Sequence, residues 1–458
     1  MKKVYMVTDL GPGDGGKGGV VHKLSHLRSA HTIVKVGGAQ GSHGVRTAQG
    51  QSFNFSQVGC GTFEGVRTHL SPRIVIDPVG ILNEAKALRY EAGVYNPHAM
   101  LTIDYRALCN TPLHGIASRV KEMALRDNPR GTIGTGVGQA ARLALTNPEL
   151  SIFAKDMLSP LLRSKLFALQ GWLQQHLTPF FEQEFLAEDR ERVAEEKILL
   201  YDNKFVDWIY DQFQTVAALC AITDETYFTE TILGKEGVIV VESSHGILTD
   251  TYTGFHPHTS ALRTLPKFTR AMFTDAGYDG EIVSLGIHRA YQIRHGAGPM
   301  VTSDSSMTEQ LLPGSHKEEN RYQGKIRVGP IDLVALRYAL SACGEGAFDG
   351  LAITWFDQVQ KLGTWNYCNR YNITDDAFFT KDGDIKVRKR EDAGQLEHLA
   401  GLTKVLEACT PQVETMKLPN GASQDELYAL CADILLEKLG VPVRMISFGP
   451  TERDKVCK

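Results

Sequence analysis

This sequence is short of several signatures that usually settle function early. Its eight cysteines include no C-x-x-C pair, which argues against a zinc ribbon or a disulfide framework and points to a reducing compartment. No run of about 18 apolar residues occurs, the length a membrane-spanning helix needs. The apolar part of MKKVYMVTDL is also too short for a signal peptide, so a cytoplasmic protein is expected. Basic residues are not in excess: 49 Lys+Arg against 53 Asp+Glu leave a net charge of −4, which provides no general field for nucleic acid or an anionic membrane. Pro-rich linkers, low-complexity tracts and internal repeats are missing as well. A single elaborated domain over residues 1–458 is therefore the expectation, with small molecules rather than nucleic acid or membrane as partners.

The last absence is local. Residues 11–19 read GPGDGGKGG, directly after the apolar run Val4–Val7. Gly11, Gly16 and Lys17 fit G-x-x-x-x-G-K, a loop between strand and helix whose N–H groups and lysine hold nucleotide phosphates. The next residue should be Ser or Thr, whose hydroxyl meets Mg²⁺, and here it is Gly18. Asp14 stands inside the same loop, where bound phosphates would repel a carboxylate unless a cation lay between them. It can replace the missing hydroxyl as a Mg²⁺ ligand, or it can act as a base.

What is present describes an α/β protein. With 42% hydrophobic and 22% charged residues the composition is that of a globular chain. Short β-branched runs (VYMV, HTIVKVGG, RIVIDP, GVIVVESS, EIVSLG, LAITWFD, VRMISFGP) end at Gly, Asp or Ser, and helical stretches separate several of them. That alternation predicts a large, mostly parallel central sheet with helices on both faces, a nucleotide-binding architecture whose ligands gather at the carboxyl ends of strands. A helical insertion is expected around 151–215. The second strand tail, VKVGGAQGSHGV, carries Gln40, Ser42 and His43. A lone histidine is more often structural than catalytic, but two glycine-rich tails, one with Asp and Lys and one with His, suggest facing walls of one site. Asp357, ending LAITWFD, reads equally as a turn or helix-capping aspartate and as an acceptor for a ligand's N–H groups.

Together these segments resemble the adenylosuccinate synthetase family. Strand–GDxGKG followed by strand–GG-(four residues)-H is similar to its opening. GTIGTGVG (131–138), VESSHGILTD (241–250), GFHPHTS (254–260), GIHRAYQIRHGAGP (286–299), RVGPIDLVALRYA (327–339), ITWFD (353–357) and GVPVRMISFGPTERD (440–454) resemble its later blocks in the family's order. The resemblance implies a GTP-dependent ligase joining L-aspartate to IMP. Asp14 would take the N1 proton of the purine, O6 would attack the γ-phosphate, and aspartate would displace the phosphoryl group, giving adenylosuccinate, GDP and phosphate. His43 would assist the departing diphosphate, and Lys17, Mg²⁺ and backbone N–H groups would neutralise charge.

By the same resemblance the nucleotide site comprises Gly13, Gly15, Gly16, Lys17, Gly18, Gly19, Ser42, His43 and Gly44, with Trp355, Asp357, Ser447, Phe448 and Gly449 near its base or ribose. The purine monophosphate falls to Asp14, Gln40, Gly41, Thr132, Ile133, Arg142, His245, Thr259 and Ser260. Aspartate falls to Arg321, Lys325 and Arg327, and Mg²⁺ to Asp14 and the Ser42 carbonyl; a homodimer is implied. The chain departs from the family pattern in places: Ile133 stands where threonine is usual, Asn147 where an arginine reaches the partner subunit, His245 for glutamine, and Trp355 for lysine. The arginine run before the aspartate site is thinned to Arg321, Lys325 and Arg327. Alternatives therefore stay open: dGMP as the purine, ATP as the donor, or a nucleotide-responsive binding protein without turnover. Retention of Asp14 favours hypoxanthine, because the dGMP-using branch carries a small residue there.

Overall fold

The computed structural model describes residues 2–313, 321–372 and 375–458. The β-branched runs become eleven strands of one sheet: β1 (Lys2–Asp9), β2 (Ala30–Gly38), β3 (Arg67–Ile76), β4 (Leu101–Asp104), β5 (Leu108–Cys109), β6 (Ala221–Thr223), β7 (Gly237–Gly246), β8 (Glu281–Arg289), β9 (Gly350–Thr354), β10 (Val443–Ser447) and β11 (Lys455–Cys457). Their order is β11-β10-β9-β8-β1-β7-β2-β3-β4-β6, with β5 beside the end of β3. Every neighbouring pair is parallel except β10 and β11.

The residue pattern explains that arrangement. A parallel strand covered on both faces must be apolar nearly throughout, and Val4 to Leu10 of the first strand and its exit are buried without interruption. Tyr5 and Val7 feed one apolar cluster, while Val4 and Met6 feed another. β1 lies centrally, flanked by β7 and β8, and the chain leaves it into α1 (Lys17–Arg28). Because the strands run the same way, the tails after β1, β2, β7, β8, β9 and β10 emerge at one edge of the sheet. Segments distant in sequence are brought there by direction alone.

Two glycines record how close these tails come. A Cβ on Gly246 would collide with the carbonyl oxygen of Gly11 and lie 2.6 Å from the nitrogen of Gly13, so the ends of β7 and β1 touch backbone to backbone. A Cβ on Gly18 would lie 2.6 Å from the carbonyl oxygen of Gly44 and 2.9 Å from the carbonyl carbon of His43. The start of α1 thus rests on the hairpin formed by His43–Arg46 and Ser52–Phe55.

The helical insertion comprises α4 (Leu162–Phe181), α5 (Arg190–Tyr201) and α6 (Asn203–Leu219), starting later and ending slightly later than the sequence suggests. Short 3₁₀ turns occupy its first residues. Its Leu162, Leu166, Leu169 and Phe213 join the core cluster that also holds Leu113, Ile116 and Val120 of α2 (Pro112–Met123). α3 (Val137–Thr146) follows the second glycine loop. No disulfide joins cysteines among the described residues, and six of the eight are buried, consistent with small apolar roles. No helix among the described residues is long and apolar enough to cross a membrane.

Gly246→Ala tests the backbone contact. Forcing a methyl group between β1 and β7 is expected to cost about 1–3 kcal/mol, read as a lowered midpoint in thermal unfolding, whereas Ala at the open position Gly50 is expected to lose only what its left-handed backbone (φ 89°) imposes.

Candidate active site

The loop after β1 is organised by a carboxylate that the sequence reading passed over. Asp9 is fully buried; its Oδ1 accepts the Gly11 N–H at 2.9 Å, and its Oδ2 accepts the Gly15 N–H and the Lys17 ammonium, both at 2.8 Å. A buried ion pair persists when extra hydrogen bonds satisfy its remaining lone pairs, and two loop amides do so here. Residue 15 is glycine because a Cβ there would lie 2.7 Å from Asp9 Oδ2. The available signal was an acid at the last position of a buried strand. Beyond it, Gly16 precedes α1 in a left-handed conformation with no side-chain cap, leaving the helix's first N–H groups for an anion. The space beside Gly13 is open to 4 Å. Asp14 is left-handed at φ 57°, and its carbonyl accepts from Arg289 Nε at 2.6 Å. The Arg289 guanidinium lies 4.4 Å over the Trp355 ring, while Thr354 Oγ1 donates to the Gly15 carbonyl at 2.6 Å. The ends of β8 and β9 thereby fix the loop that carries Asp14.

The opposite wall is built around Glu242, from β7, which is also fully buried. Its Oε1 accepts from His43 Nδ1 at 2.5 Å and from Lys35 Nζ at 2.7 Å, and its Oε2 accepts the Cys60 N–H at 3.0 Å. Burial pushes this carboxyl up, but Lys35 and His43 outweigh it and hold the group well below the usual carboxylate range. Burial pushes the His43 imidazole down to about 4 despite the pull of Glu242. The ring is therefore neutral near pH 7, with its Nδ1–H donated to Glu242. Nε2 is left as a buried lone pair with no protein partner. His43, Cys60 and Glu242 bring potential metal-ligand atoms within 4.8 Å of one another. The Lys35 ammonium already supplies the positive charge there, and burial pushes the Cys60 thiol far up, so this trio does not fit a metal.

A cavity of about 450 Å³ opens beyond the two walls. Of the residues the resemblance assigns to the purine monophosphate, Gln40, Thr132, Ile133, Arg142, His245, Thr259 and Ser260 line it, whereas Asp14 and Gly41 are outside its lining, and Pro12 brings the first loop to its rim. Gly41 packs against Ser244, and a Cβ on it would lie 3.5 Å from His43 Nε2. His245 accepts from Gln40 Nε2 at 2.8 Å and bonds Ser244 Oγ at 2.7 Å; burial pushes it down to about 3, so it is a neutral, oriented ring. The second glycine loop is anchored from the insertion: Arg119 donates to the Gly134 carbonyl at 3.0 Å and forms a double ion pair with Glu196 of α5 at 2.5 and 2.7 Å.

Lys121, Arg130 and Arg294 also line the cavity, and the sequence reading missed them as site residues. Arg294 lay inside a recognised block; Arg130 stands just before the glycine loop. Burial together with Arg327 pushes Arg294 down to about 9, and burial with Arg142 pushes Lys121 down to about 8. The acid in the lining, Glu122, is engaged by the Gly131 N–H at 2.7 Å. This is an electropositive chamber suited to a phosphate dianion.

The expected aspartate residues do not converge. Lys325 and Arg327 line an adjoining cavity of about 590 Å³, which shares Ala297 and Gln323 with the first. Arg327 donates to the carbonyls of Gly296 and Gly298 at 2.8 and 2.7 Å. Arg321 is exposed and turned to the insertion, paired with Asp189 at 3.0 Å. At the other end of the site, Asp357 is not a helix cap, because Trp355, left-handed at φ 59°, precedes the helix Phe356–Leu362. Asp357 accepts from Gln358 at 2.5 Å and lies 3.7 Å from Lys361. Ser447 Oγ is buried without a partner, and Phe448 packs edge-on against Phe356. Gly449 abuts Asp454.

Glu242→Gln alone leaves Lys35 buried without its counter-charge and is expected to lose about 3–5 kcal/mol. The double variant Lys35→Met/Glu242→Gln is expected to recover much of that stability but not the function of His43, which no longer has a carboxylate to orient it. Thermal unfolding and turnover measured on the same samples separate the two effects.

A family model described as Adenylosuccinate synthetase matches residues 6–456. Among curated relatives, the adenylosuccinate synthetase of Chlorobium chlorochromatii is 26% identical, covering 97% of this chain and 95% of that protein. That of Bdellovibrio bacteriovorus is 25% identical over 96% and 94%. Among solved structures, fully ligated adenylosuccinate synthetase from Plasmodium falciparum superposes with a TM-score of 0.73 at 17% identity, covering 99% of both chains. Cyanophage S-2L succinoaminodeoxyadenylate synthetase, bound to dGMP and to dATP as energy donor, gives 0.54 at 14% identity over 100% of this chain and 95% of that one. The large parallel sheet is thus shared with both solved structures, and the match of the family model over nearly the full length assigns the chain to the adenylosuccinate synthetase family of C–N bond-forming ligases.

Proposed function

We propose that this protein is a cytoplasmic purine-nucleotide–aspartate ligase that phosphorylates O6 of IMP with GTP and displaces the phosphate with L-aspartate, giving adenylosuccinate, GDP and phosphate. The observations that support it are a phosphate-type loop bearing Asp14, a neutral His43 held by Glu242, and a cation-lined cavity reached by Pro12 of that loop and by Gln40 of the strand tail that carries His43. Purine N1–H is acidic enough for a carboxylate held close by, and deprotonation makes O6 a nucleophile. Transfer of the phosphoryl group then needs positioning and charge neutralisation more than covalent help. The amides of residues 16–19 and Lys17 meet that need. Arg130, Arg142 and Arg294 would hold the 5′-phosphate of the monophosphate, with Thr132, Thr259 and Ser260 as hydroxyl donors.

Asp14 and the Ser42 carbonyl are hard oxygen donors of the kind Mg²⁺ takes, and the open space beside Gly13 gives the ion and the phosphates room. Mg²⁺ bound there would neutralise the β- and γ-phosphate oxygens. His43 supplies the proton-linked part. A polyanion near Nε2 favours the charged imidazole, and Glu242 stabilises it from the other side, so His43 gains a proton as the triphosphate binds and can hydrogen-bond the diphosphate as it departs. Asp357, Trp355 and Ser447 would face the donor's base, and Lys325 with Arg327 the amine substrate. Arg142 lines the chain's own cavity; a homodimer is proposed as the working form, and light scattering of the purified chain measures it.

Incubation with Mg²⁺, aspartate and each pairing of GTP or ATP with IMP or dGMP is expected to give phosphate and a succinylated product most rapidly with GTP and IMP. Phosphate release without any succinylated mass excludes aspartate, and fastest turnover with dGMP or ATP reassigns the purine or the donor. Asp14→Asn is expected to lower kcat by about 10²–10⁴-fold, the range of a general base, with triphosphate binding retained. Calorimetry of triphosphate binding in buffers of different ionisation enthalpy at pH 6–7 is expected to show proton uptake, and His43→Asn to abolish it.

A further inference from the structure

The C-terminal strand carries a cation that none of the roles above uses. Lys455 begins β11, one residue past the last recognised family block, and is only 6% exposed. Two of its three ammonium hydrogens go to the carbonyls of Pro450 and Thr451, at 3.3 and 2.7 Å. No carboxylate among the described residues forms an ion pair with it. The neighbouring acids are engaged elsewhere: Asp454 accepts from the amide and hydroxyl of Thr451, and Glu452 from the Ala48 N–H. Lys23, a second cation close by, donates to the Glu452 carbonyl. Burial accordingly pushes the Lys455 ammonium down to about 8.

The direction of this side chain gives it meaning. Its Cε and Nζ lie 3.1 and 3.2 Å from where a Cβ on Gly19 would stand, which explains a third glycine in the first turn of α1. A helical Cα–Cβ bond tilts toward the helix N-terminus, so the ammonium sits beside the end whose N–H groups are uncapped. The same end is bounded by the His43–Gly44 backbone, against which Gly18 packs, by Thr354 against Gly16, and by Lys17 with Asp9. Asp454 and Glu452 attract this ammonium but make no direct ion pair with it, and a buried cation beside the first turn of a helix adds to the positive field that draws an anion there.

We propose that Lys455 is a phosphate-binding residue of the nucleoside triphosphate site, with its third N–H reserved for an oxygen of the phosphate chain seated on the first turn of α1. This rests on the reading of that loop as the donor site. It adds a ligand from the far end of the chain, so that the C-terminal block contributes to phosphate recognition as well as to the base. Lys17 is paired directly with Asp9, whereas Lys455 has no direct ion pair among the described residues and keeps an N–H for an incoming oxygen.

Calorimetric binding of GTP, ATP, guanosine and IMP to the full-length protein in Mg²⁺ tests it, using Lys455→Met and, because that variant can fail to fold, Lys455→Gln, which keeps a donor for the two carbonyls but no charge. Both are expected to weaken triphosphate binding about tenfold or more, to leave guanosine and IMP within about twofold, and to flatten the salt dependence of triphosphate affinity. Unchanged triphosphate affinity in a folded variant overturns the proposal. A loss shared equally by guanosine and IMP overturns it too, since that marks collapse of the C-terminal block. Absence of triphosphate binding in the unsubstituted protein refutes the donor-site reading itself and is distinguished by appearing before any substitution is made.

Discussion

The site depends on a carboxylate and an ammonium withdrawn from water together at the end of the first strand. Asp9 and Lys17 are eight residues apart, and the chain between them must arch so that two of its amides, from Gly11 and Gly15, complete the shell of the same carboxylate. Once the pair is buried, the loop has few other shapes available, because exposing either charge alone to the apolar interior costs several kcal/mol. The arch turns the remaining amides outward at the start of α1, and left-handed Asp14 sits at its crest. Arg289 and Thr354 then attach two more strand ends to the loop's carbonyls. Rigidity of this kind lets backbone dipoles act on a developing charge without reorganising first.

A second buried ion pair performs the corresponding task on the other wall. Lys35 and Glu242 face each other from adjacent strands β2 and β7, and the same carboxylate oxygen that holds the ammonium also holds His43 Nδ1. Tautomer, ring orientation and charge state of His43 follow from that one contact. The two pairs are nearly self-neutralising, so the positive charge around the cavity comes from Arg130, Arg142, Arg294 and Lys121. The depressed values of Arg294, Lys121 and Lys455 record desolvation first, reinforced by one neighbouring cation each, Arg327, Arg142 and Lys23.

How much of this could be read from sequence depended on the range of the interactions. The first loop, the facing histidine, the parallel sheet and the lining residues Gln40, Thr132, Arg142, His245, Thr259 and Ser260 were legible because each is written in a local pattern: glycines after a β-branched run, a polar residue in a strand tail. The parallel direction of the strands follows from alternation with helices, and that direction then gathers the tails at one edge. What stayed hidden were pairings decided by distant partners. Glu242 lies in a recognised segment, yet nothing nearby shows that Lys35 and His43, about two hundred residues earlier, converge on it. Arg321 reads as a dicarboxylate ligand until Asp189 of the insertion is placed beside it. Asp357 reads as a cap until Trp355 is found in that position.

The insertion also explains how a divergent member of the family tolerates its substitutions. Helix α5 holds Arg119, and through it the Gly134 carbonyl of the second glycine loop, by the double ion pair to Glu196. It also receives Arg321 through Asp189 and meets Tyr322 through Arg192 at 2.8 Å. One helix outside the sheet thus braces the loop lining the monophosphate chamber and the segment that leads to Lys325 and Arg327. With the backbone of residues 131–138 fixed from outside, a phosphate contact need not come from one conserved hydroxyl: Thr132 beside Ile133, bonded to Ser118 at 3.2 Å, is already presented to the cavity. Arg130 and Arg294 add their charge to the same lining, and an anion in such a chamber responds to the summed field more than to the identity of any one cation.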